Sequence, residues 1–231
     1  MKNDESRNGG EIKPVLRDKD AARKFYDRIS RLYDLFIARL EKKYRRKGLK
    51  MLDVEAGDKI LEMGFGTGHA LVHMAERVGP EGKIVGVDIS PKMLEIARKK
   101  LRGKGLEKRV ELYCEDGAGF EYESSYFTGI FICFTLELFT REDMRRIIGN
   151  CRHLLKPGGR ICLVTISRGR TGSALKFYEK LHMSMPAVFD CRPIYPHKLL
   201  LEGDFAITAS EEMSMWGLPV EIVLAEISGP E

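Results

Sequence analysis

The stretch KILEMGFGTGHA, residues 59–70, decides the fold. A short apolar run is followed at once by three glycines at every second position, Gly64, Gly66 and Gly68. The run predicts a buried strand, and the pattern over 69–77 predicts a helix that begins directly after the glycines. Backbone amides at such a helix N-terminus can approach an anionic group closely. The stretch therefore predicts a ligand-binding turn.

Three kinds of ligand compete for this turn. A P-loop requires Lys and then Ser or Thr after its last glycine, but this chain has His69 and Ala70 at those positions. The turn is therefore not a P-loop that binds a nucleoside triphosphate. The dinucleotide fingerprint G-x-G-x-x-G requires its third glycine at position 69, which is the same histidine. Neither phosphate-binding pattern fits the chain as it stands.

The pattern that remains is E-x-G-x-G-x-G over residues 62–68. It suits a ligand with an α-amino acid end, because the amides can hold its carboxylate and the Glu62 side chain can meet its ammonium. S-adenosylmethionine (SAM) has both groups and a sulfonium. The alternative is that the glycines only permit a tight turn.

Two acidic residues follow the next two predicted strands. Asp88 ends the second strand and can accept both hydroxyls of an adenosine ribose, although NAD carries the same ribose. Its alternative role, capping the next helix, is already filled by Ser90. Asp116 follows the third strand and either accepts the adenine amine or is an ordinary loop acid.

Strand and helix patterns alternate along residues 59–166, which predicts a doubly wound α/β fold with a mostly parallel sheet. Two further strands, 205–216 and 220–227, are separated only by the Gly217-Leu218-Pro219 turn and must pair antiparallel. We therefore expect a seven-stranded sheet that ends in an antiparallel hairpin, preceded by an N-terminal amphipathic helix. The predicted strands lie at 59–63, 83–89, 109–114, 127–134 and 160–166, and the predicted helices at 69–77, 91–101, 141–155 and 171–183.

The N-terminal region is basic and amphipathic. Residues 1–50 hold 16 Lys and Arg against 8 Asp and Glu, whereas the whole chain has a net charge of +5. Apolar side chains between 25 and 44 cover about 140° of a helix that we predict from 19 to 47, with cations on the opposite side. We expect a disordered lead-in at 1–18, an N-terminal helical segment at 19–50 and a SAM-binding domain at 51–231.

The composition indicates in which compartment the protein works. No apolar run approaches the ~20 residues of a membrane-spanning helix, and the polar N-terminus lacks the apolar core of a secretory signal. The five cysteines form no CxxC or Cys/His cluster, so we expect no metal site and a reducing cytoplasm. The basic helix either contacts the inner face of a membrane, or its charges are simply solvated.

Taken together, these residues resemble a class I SAM-dependent methyltransferase. The glycine motif, VGVDIS (85–90), the CEDG turn (114–117), FTGIFICFTLELF (127–139) and LLKPGGRI (154–161) carry the resemblance. FYDRISRLYDLF (25–36) resembles ubiquinone/menaquinone C-methyltransferases. FTLELF (134–139) and DCRPIY (190–195) are similar to bacterial phosphatidylethanolamine N-methyltransferases.

The resemblance implies that the N-terminal helix folds over the cofactor. Tyr26 and Tyr33 would then border the sulfonium, where an aromatic face contributes on the order of 1 kcal/mol, or they pack on the domain. The predicted cofactor site comprises Tyr26, Tyr33, Glu62, Gly64, Gly66, Gly68, Asp88, Ile89, Met93, Asp116, Gly117 and Phe134.

The acceptor side is predicted at the carboxyl end of the fourth strand. Thr135 and Glu137 are the candidates there, with the alternative that Glu137 is a solvated start to the next helix. Asp190 and Arg192 either clamp an anionic headgroup or pair with each other. Methyl transfer depends mostly on positioning, so the catalytic group is undetermined, with Tyr33, Thr135 and Glu137 as candidates.

Several functions compete. The first is methyl transfer from SAM to a lipid-like or small amphiphilic acceptor, such as a quinone precursor or a phospholipid amine. The second is N- or O-methylation of a small soluble molecule, and another is a non-catalytic SAM-binding regulator. A nucleic-acid substrate is not expected, because no N/D-P-P-Y/F-type motif follows the fourth strand and no basic-aromatic accessory domain is present.

Overall fold

A computed structural model describes residues 37–168, 178 and 191–227. Within these residues the chain forms seven strands and five α-helices. The strands are β1 (Lys59–Met63), β2 (Lys83–Asp88), β3 (Val110–Cys114), β4 (Phe127–Cys133), β5 (Leu155–Ile166), β6 (Phe205–Met215) and β7 (Leu218–Ile227). The helices are α1 (Ile37–Leu52), α2 (His69–Arg77), α3 (Pro91–Arg102), α4 (Arg141–Leu154) and α5 (Pro196–Glu202).

The strands form one sheet in the order β3-β2-β1-β4-β5-β7-β6. Strands β1 to β5 are parallel, and β7 runs antiparallel to both β5 and β6. The predicted doubly wound sheet with a terminal hairpin is confirmed. Because the strand order reverses between β1 and β4, their carboxyl ends form the crevice where such sheets bind ligands.

The sheet is buried on both faces. β1 and β4 read as nearly continuous apolar runs because helices cover them from both sides. One core includes Tyr44, Leu52 and Phe131 together with side chains of α2 and α3, and the other includes Phe127 together with side chains of α4 and α5. The edge strand β6 instead begins at the buried Phe205 and then alternates exposed and half-buried residues to its end.

Two helix starts follow from local hydrogen bonds. The Ser90 hydroxyl accepts from the Met93 amide at 3.1 Å, and Pro91 occupies the first turn of α3. The Thr140 hydroxyl caps α4 in the same way, accepting from the Asp143 amide at 3.0 Å. The predicted cap at Ser90 is therefore confirmed, and Asp88 is left for another role.

Several boundaries differ from expectation. Helix α1 ends at Leu52 rather than near residue 47, because Leu49 and Leu52 are buried in the domain core. The expected turn at 156–159 lies within β5, where the pairing with β4 shifts register. Helix α5 was not predicted. The helix expected at 171–183 lies outside the described residues, apart from position 178.

The terminal hairpin turns at Trp216-Gly217, one residue earlier than expected. Both residues have positive φ, +52° and +83°. Tight hairpin turns need this conformation because it matches the twist of the paired strands. A bulky residue rarely adopts it, and here it places the Trp216 side chain in solvent at the tip.

Candidate functional site

All three glycines of the turn adopt the left-handed conformation. Their φ values are +76° at Gly64, +53° at Gly66 and +77° at Gly68. The Gly64 amide donates to the Val87 carbonyl at 2.7 Å, which ties the turn to the end of β2. Residues with a Cβ adopt this conformation at a cost of roughly 1–2 kcal/mol. The turn therefore requires glycine-like freedom at every second position.

The three glycines face different surroundings. A Cβ on Gly64 would lie 2.2 Å from Thr135 Oγ1, and a Cβ on Gly68 would lie 2.9 Å from the Cβ of Ala97 on α3. A Cβ on Gly66 would have no atom of the described structure within 4 Å. Packing thus explains two of the glycines. The third, Gly66, presents bare backbone toward open space, as close approach by a ligand requires.

Asp88 holds the glycine turn from the end of β2. Its Oδ2 accepts a hydrogen bond from the Gly66 amide at 2.8 Å, and its Oδ1 accepts from the Ser90 amide at 2.9 Å. Both carboxylate oxygens of Asp88 thus contact backbone amides of this region, and its contact with a ribose stays a prediction. Asp88 therefore positions the very glycine that faces open space, a role that the sequence pattern did not indicate.

Glu62 is a buried carboxylate beside this turn. Glu62 is 3% exposed, and its Oε2 atom has no hydrogen-bond partner among the described residues. Burial raises the pKa of Glu62 well above its usual range, and nearby Asp88 adds to this. The charge of Arg45 and a hydrogen bond from the Leu71 amide act against the increase in pKa. A cation placed at Oε2 would stabilise the ionised form.

A small cavity joins Glu62 to the glycine turn and to helix α1. It encloses about 30 Å³ and is lined by Glu41, Arg45, Glu62, Phe65, Gly66, Thr67, His69, Ala70 and Cys133. Glu41 and Arg45 come from α1, so this helix closes over the turn as a covering segment would. Neither residue was predicted from the sequence to belong to the site. Tyr26 and Tyr33, the predicted sulfonium neighbours, lie outside the described residues.

The loop after β3 sits against the end of β1. Asp116 is half-buried and its Oδ1 accepts from the Ala118 amide at 3.1 Å, which makes a local turn. A Cβ on Gly117 would lie 3.0 Å from Met63 Cγ, so glycine lets the loop approach the strand. Asp116 Oδ1 is therefore used by a local turn. The contact of Asp116 with an adenine amine stays a prediction, and so do the cofactor contacts of Ile89 and Met93.

Two residues at the end of β4 close the other side of the crevice. Phe134 is buried, has φ +49°, and packs edge-on against Tyr44 of α1 with 6.1 Å between ring centroids. The Thr135 hydroxyl donates to the Cys133 carbonyl at 3.0 Å, and its side chain fills the space that Gly64 leaves. Thr135 thus shapes the turn, and its contact with an acceptor stays a prediction.

Glu137 is fully buried, so the alternative of a solvated helix start is wrong. It lies in a short 3-10 turn, Leu136–Leu138, and its Oε1 accepts from the Ile166 amide at 2.9 Å. Arg192 is also buried and donates to the Phe139 carbonyl. Burial lowers the pKa of Arg192, and the negative charge of Glu137 opposes that shift.

Glu137 and Arg192 are therefore brought together at the carboxyl edge of β4 and β5. Asp190, the other half of the predicted clamp, lies outside the described residues. The fold thus supplies a buried acid and a buried guanidinium next to the crevice. A direct contact of either one with an acceptor stays a prediction.

A polar network beyond β5 was missed by the sequence analysis. The Ser167 hydroxyl donates to Glu221 Oε1 at 2.5 Å, and Glu221 Oε2 lies 2.9 Å from His197 Nδ1. Ser167 follows β5 directly, Glu221 lies on β7 and His197 on α5. The three residues are far apart in sequence, so no local spacing could have revealed the network.

Comparison with known proteins agrees with this geometry. Residues 60–159 match the family described as "Methyltransferase domain". A demethylmenaquinone methyltransferase of Lactobacillus johnsonii is 32% identical over 143 residues, covering 62% of this chain and 57% of the relative. A ubiquinone/menaquinone biosynthesis C-methyltransferase of Pseudomonas paraeruginosa is 28% identical over 152 residues, covering 66% and 59%. The chain thus spans less than two thirds of either relative.

Solved structures share the fold. A SAM-dependent methyltransferase from Aquifex aeolicus superposes with a TM-score of 0.61 at 19% identity, covering 87% of this chain and 98% of that one. At this identity the likeness concerns the fold alone. The family match, however, spans the glycine turn, Asp88 and the carboxyl end of β4. The chain therefore contains a class I SAM-dependent methyltransferase domain, matched over residues 60–159, and is similar to the ubiquinone/menaquinone methyltransferases.

Proposed function

We propose that the protein binds SAM at the carboxyl ends of β1 and β2 and transfers its methyl group to a lipid-like or small amphiphilic acceptor. The observation that carries the proposal is the buried Glu62 oxygen without a partner among the described residues, beside the bare backbone of Gly66. An ammonium and a carboxylate on one ligand match these two features.

The cofactor fits the remaining residues of the crevice. Glu62 would meet the ammonium, the amides of the glycine turn the carboxylate, and Asp88 the ribose hydroxyls. Asp116 and Gly117 would border the adenine. Because Glu41 and Arg45 line the small cavity, their side chains must move aside when the amino-acid end of SAM enters.

SAM supplies an electrophilic methyl group on a sulfonium. The protein has to orient the acceptor and exclude water, because an in-line displacement gains mostly from positioning. Phe134, Tyr44 and helix α1 would exclude water from the crevice. Glu137 is a buried acid at the carboxyl end of β4, and we assign it to balancing a positive charge or taking a proton there, with Thr135 and Arg192 as acceptor contacts.

The acceptor class is inferred from the relatives and from the surface. The matched relatives are named for menaquinone and ubiquinone biosynthesis, and a quinone precursor is an amphiphile with a lipid tail. No helix in the described part of the chain is long and apolar enough to cross a bilayer. From the lipid tail of such an acceptor we propose a peripheral enzyme that reaches its acceptor at a membrane surface.

Incubation with trideuteromethyl-labelled SAM tests the proposal. The wild-type protein and the Asp88→Ala variant are mixed with a total lipid extract and, separately, with the water-soluble metabolite fraction, and products are read by mass spectrometry. We expect label in the organic phase with wild type alone. Label only in soluble molecules would favour the small-molecule alternative. Binding of SAM without any labelled product would indicate a regulator.

Replacing Glu62 by Gln should separate stability from cofactor binding. In the folded protein the pKa of Glu62 is raised, so without SAM the wild type loses stability as the pH rises from the ordinary pKa of Glu toward the raised value. Glu62→Gln lacks this loss. We expect it to be more stable than the wild type at neutral pH, by urea unfolding, yet to bind SAM about tenfold more weakly or worse.

The matched control is Glu95→Gln, an exposed acid on α3, which should change neither property. Binding of SAM to the wild type should also release protons at a pH below the raised pKa of Glu62, because the ammonium favours the ionised carboxylate. Calorimetry in buffers of different ionisation enthalpy measures this release. Unchanged SAM affinity in Glu62→Gln would contradict the assignment of the ammonium.

A further inference from the structure

A groove lies between helix α1 and the tip of the β6–β7 hairpin, away from the glycine turn. We call it the basic rim. It has a volume of about 480 Å³ and is lined by Arg39, Leu40, Lys42, Lys43, Tyr44, Arg46, Met215 and Trp216. Four of these eight residues are cations and none is acidic. The groove therefore presents concentrated positive charge to any ligand or surface that meets it.

The basic rim also exposes two large apolar side chains. Trp216 is 75% exposed and Leu40 is 42% exposed. They are two of the three large hydrophobic residues that are exposed in the described part of the chain, the third being Leu201. Soluble surfaces rarely gather exposed apolar side chains without a partner for them.

The two sides of the basic rim are held in place. The Tyr44 hydroxyl donates to the Ser214 carbonyl at 2.6 Å, and Lys43 Nζ donates to the same oxygen at 3.4 Å. Lys47 pairs with Glu211 at 2.5 Å. These bonds join α1 to β6, so the helix that carries the cations is held against the strand that leads to Trp216.

The basic rim lies at the edge of the sheet where the methyltransferase site opens. Ile166 at the carboxyl end of β5 pairs with Val220, and the hairpin continues beyond it through Leu218 to Trp216. The carboxyl ends of β1, β2 and β4, with Glu62, Asp88 and Thr135, lie at the same edge because these strands are parallel to β5.

We propose that the basic rim docks on an anionic phospholipid surface, with Trp216 at the level of the headgroups. Lys and Arg side chains are attracted to the negative potential of such a surface, and Trp is enriched at membrane–water interfaces. Four phosphate contacts alone would also suit a nucleic acid, but an exposed Trp and Leu among the cations favour a surface that can take up apolar side chains. The docking deepens the proposed function, because it would turn the acceptor side toward the bilayer.

The chain carries its own reporter, since Trp216 is its single tryptophan. Vesicles of phosphatidylcholine with phosphatidylglycerol are added to the full-length protein, and vesicles of phosphatidylcholine alone serve as the neutral comparison. We expect a blue shift of the Trp216 emission and co-sedimentation with the anionic vesicles only, both weakened by salt. Neither measurement requires SAM, so failure of docking and failure of methyl transfer are distinguishable.

Charge reversal tests the basic rim itself. Lys42→Glu/Arg46→Glu should weaken partitioning into anionic vesicles by about tenfold or more. The matched control is Lys108→Glu/Arg152→Glu, which makes the same change in net charge with exposed residues at the opposite edge of the sheet, before β3 and β5. Trp216→Ser should weaken sedimentation while SAM binding by calorimetry is retained.

Two results would overturn the proposal. One is equal loss of vesicle binding in the two charge-reversal variants, which would show that binding depends on the net charge of the protein and not on the basic rim. The other is a protein that shows no blue shift with anionic vesicles but binds single-stranded RNA. If Lys42→Glu/Arg46→Glu then loses the RNA binding, the basic rim is a nucleic-acid site.

Discussion

Gly66→Ala is expected to weaken SAM binding by a hundredfold or more while the protein stays folded. The φ of +53° costs a residue with a Cβ roughly 1–2 kcal/mol, which a stable domain tolerates. The added methyl group meets no atom of the described structure within 4 Å. It would stand where the amino-acid end of SAM must approach the backbone, so the loss falls mainly on binding.

Gly57→Ala is the matched control. Gly57 has φ +84°, and its Cβ position also has no neighbour within 4 Å in the described structure, but it lies in the turn before β1. Both variants should therefore lose similar stability by thermal unfolding, and only Gly66→Ala should lose SAM affinity by calorimetry. Equal SAM affinity in the two variants would mean that the turn serves packing alone.

Glu137→Ala is expected to be the most destabilising single change at the acceptor side. Leaving a buried amide without its acceptor costs about 1–3 kcal/mol, and the favourable charge of Glu137 on Arg192 is lost as well. Here Arg192 would keep its buried guanidinium, and the Ile166 amide would lose its acceptor. Urea unfolding should show this loss, and activity should be measured only at temperatures where the variant is folded.

A double-mutant cycle isolates the electrostatic part. Glu137→Gln leaves a carbonyl oxygen for the Ile166 amide and should be less damaging than Glu137→Ala. The double variant Glu137→Gln/Arg192→Met should be more stable than the sum of the two single changes predicts, because it removes both charges together. Additive losses would show that Glu137 does not stabilise the Arg192 guanidinium.

The sheet could be predicted because its information is local. Strands β1, β2 and β4 are apolar runs separated by helices with recognisable starts, such as Ser90-Pro91 before α3. A short connection between the last two strands leaves only antiparallel pairing. The glycine turn could also be predicted, because the spacing of residues 64, 66 and 68 fits neither the P-loop nor the dinucleotide pattern.

The acceptor side was less predictable because it depends on contacts between distant segments. Glu137 stands between two leucines, a pattern typical of an exposed acid on a short helix, yet the 3-10 turn points its carboxylate at the Ile166 amide. The Ser167, Glu221 and His197 network likewise joins three elements. Helix α5 follows a proline-rich segment whose composition favours a loop.

Cofactor choice at the glycine turn is tested most directly by titration calorimetry with SAM and with NAD, using wild type and Asp88→Ala. SAM should bind the wild type at one site, and NAD should bind far more weakly. Asp88→Ala should lose at least tenfold in SAM affinity, since it loses the acceptor of the Gly66 amide and the proposed contact with the ribose. Absence of SAM binding by the wild type, or equal affinity in Asp88→Ala, would contradict the account.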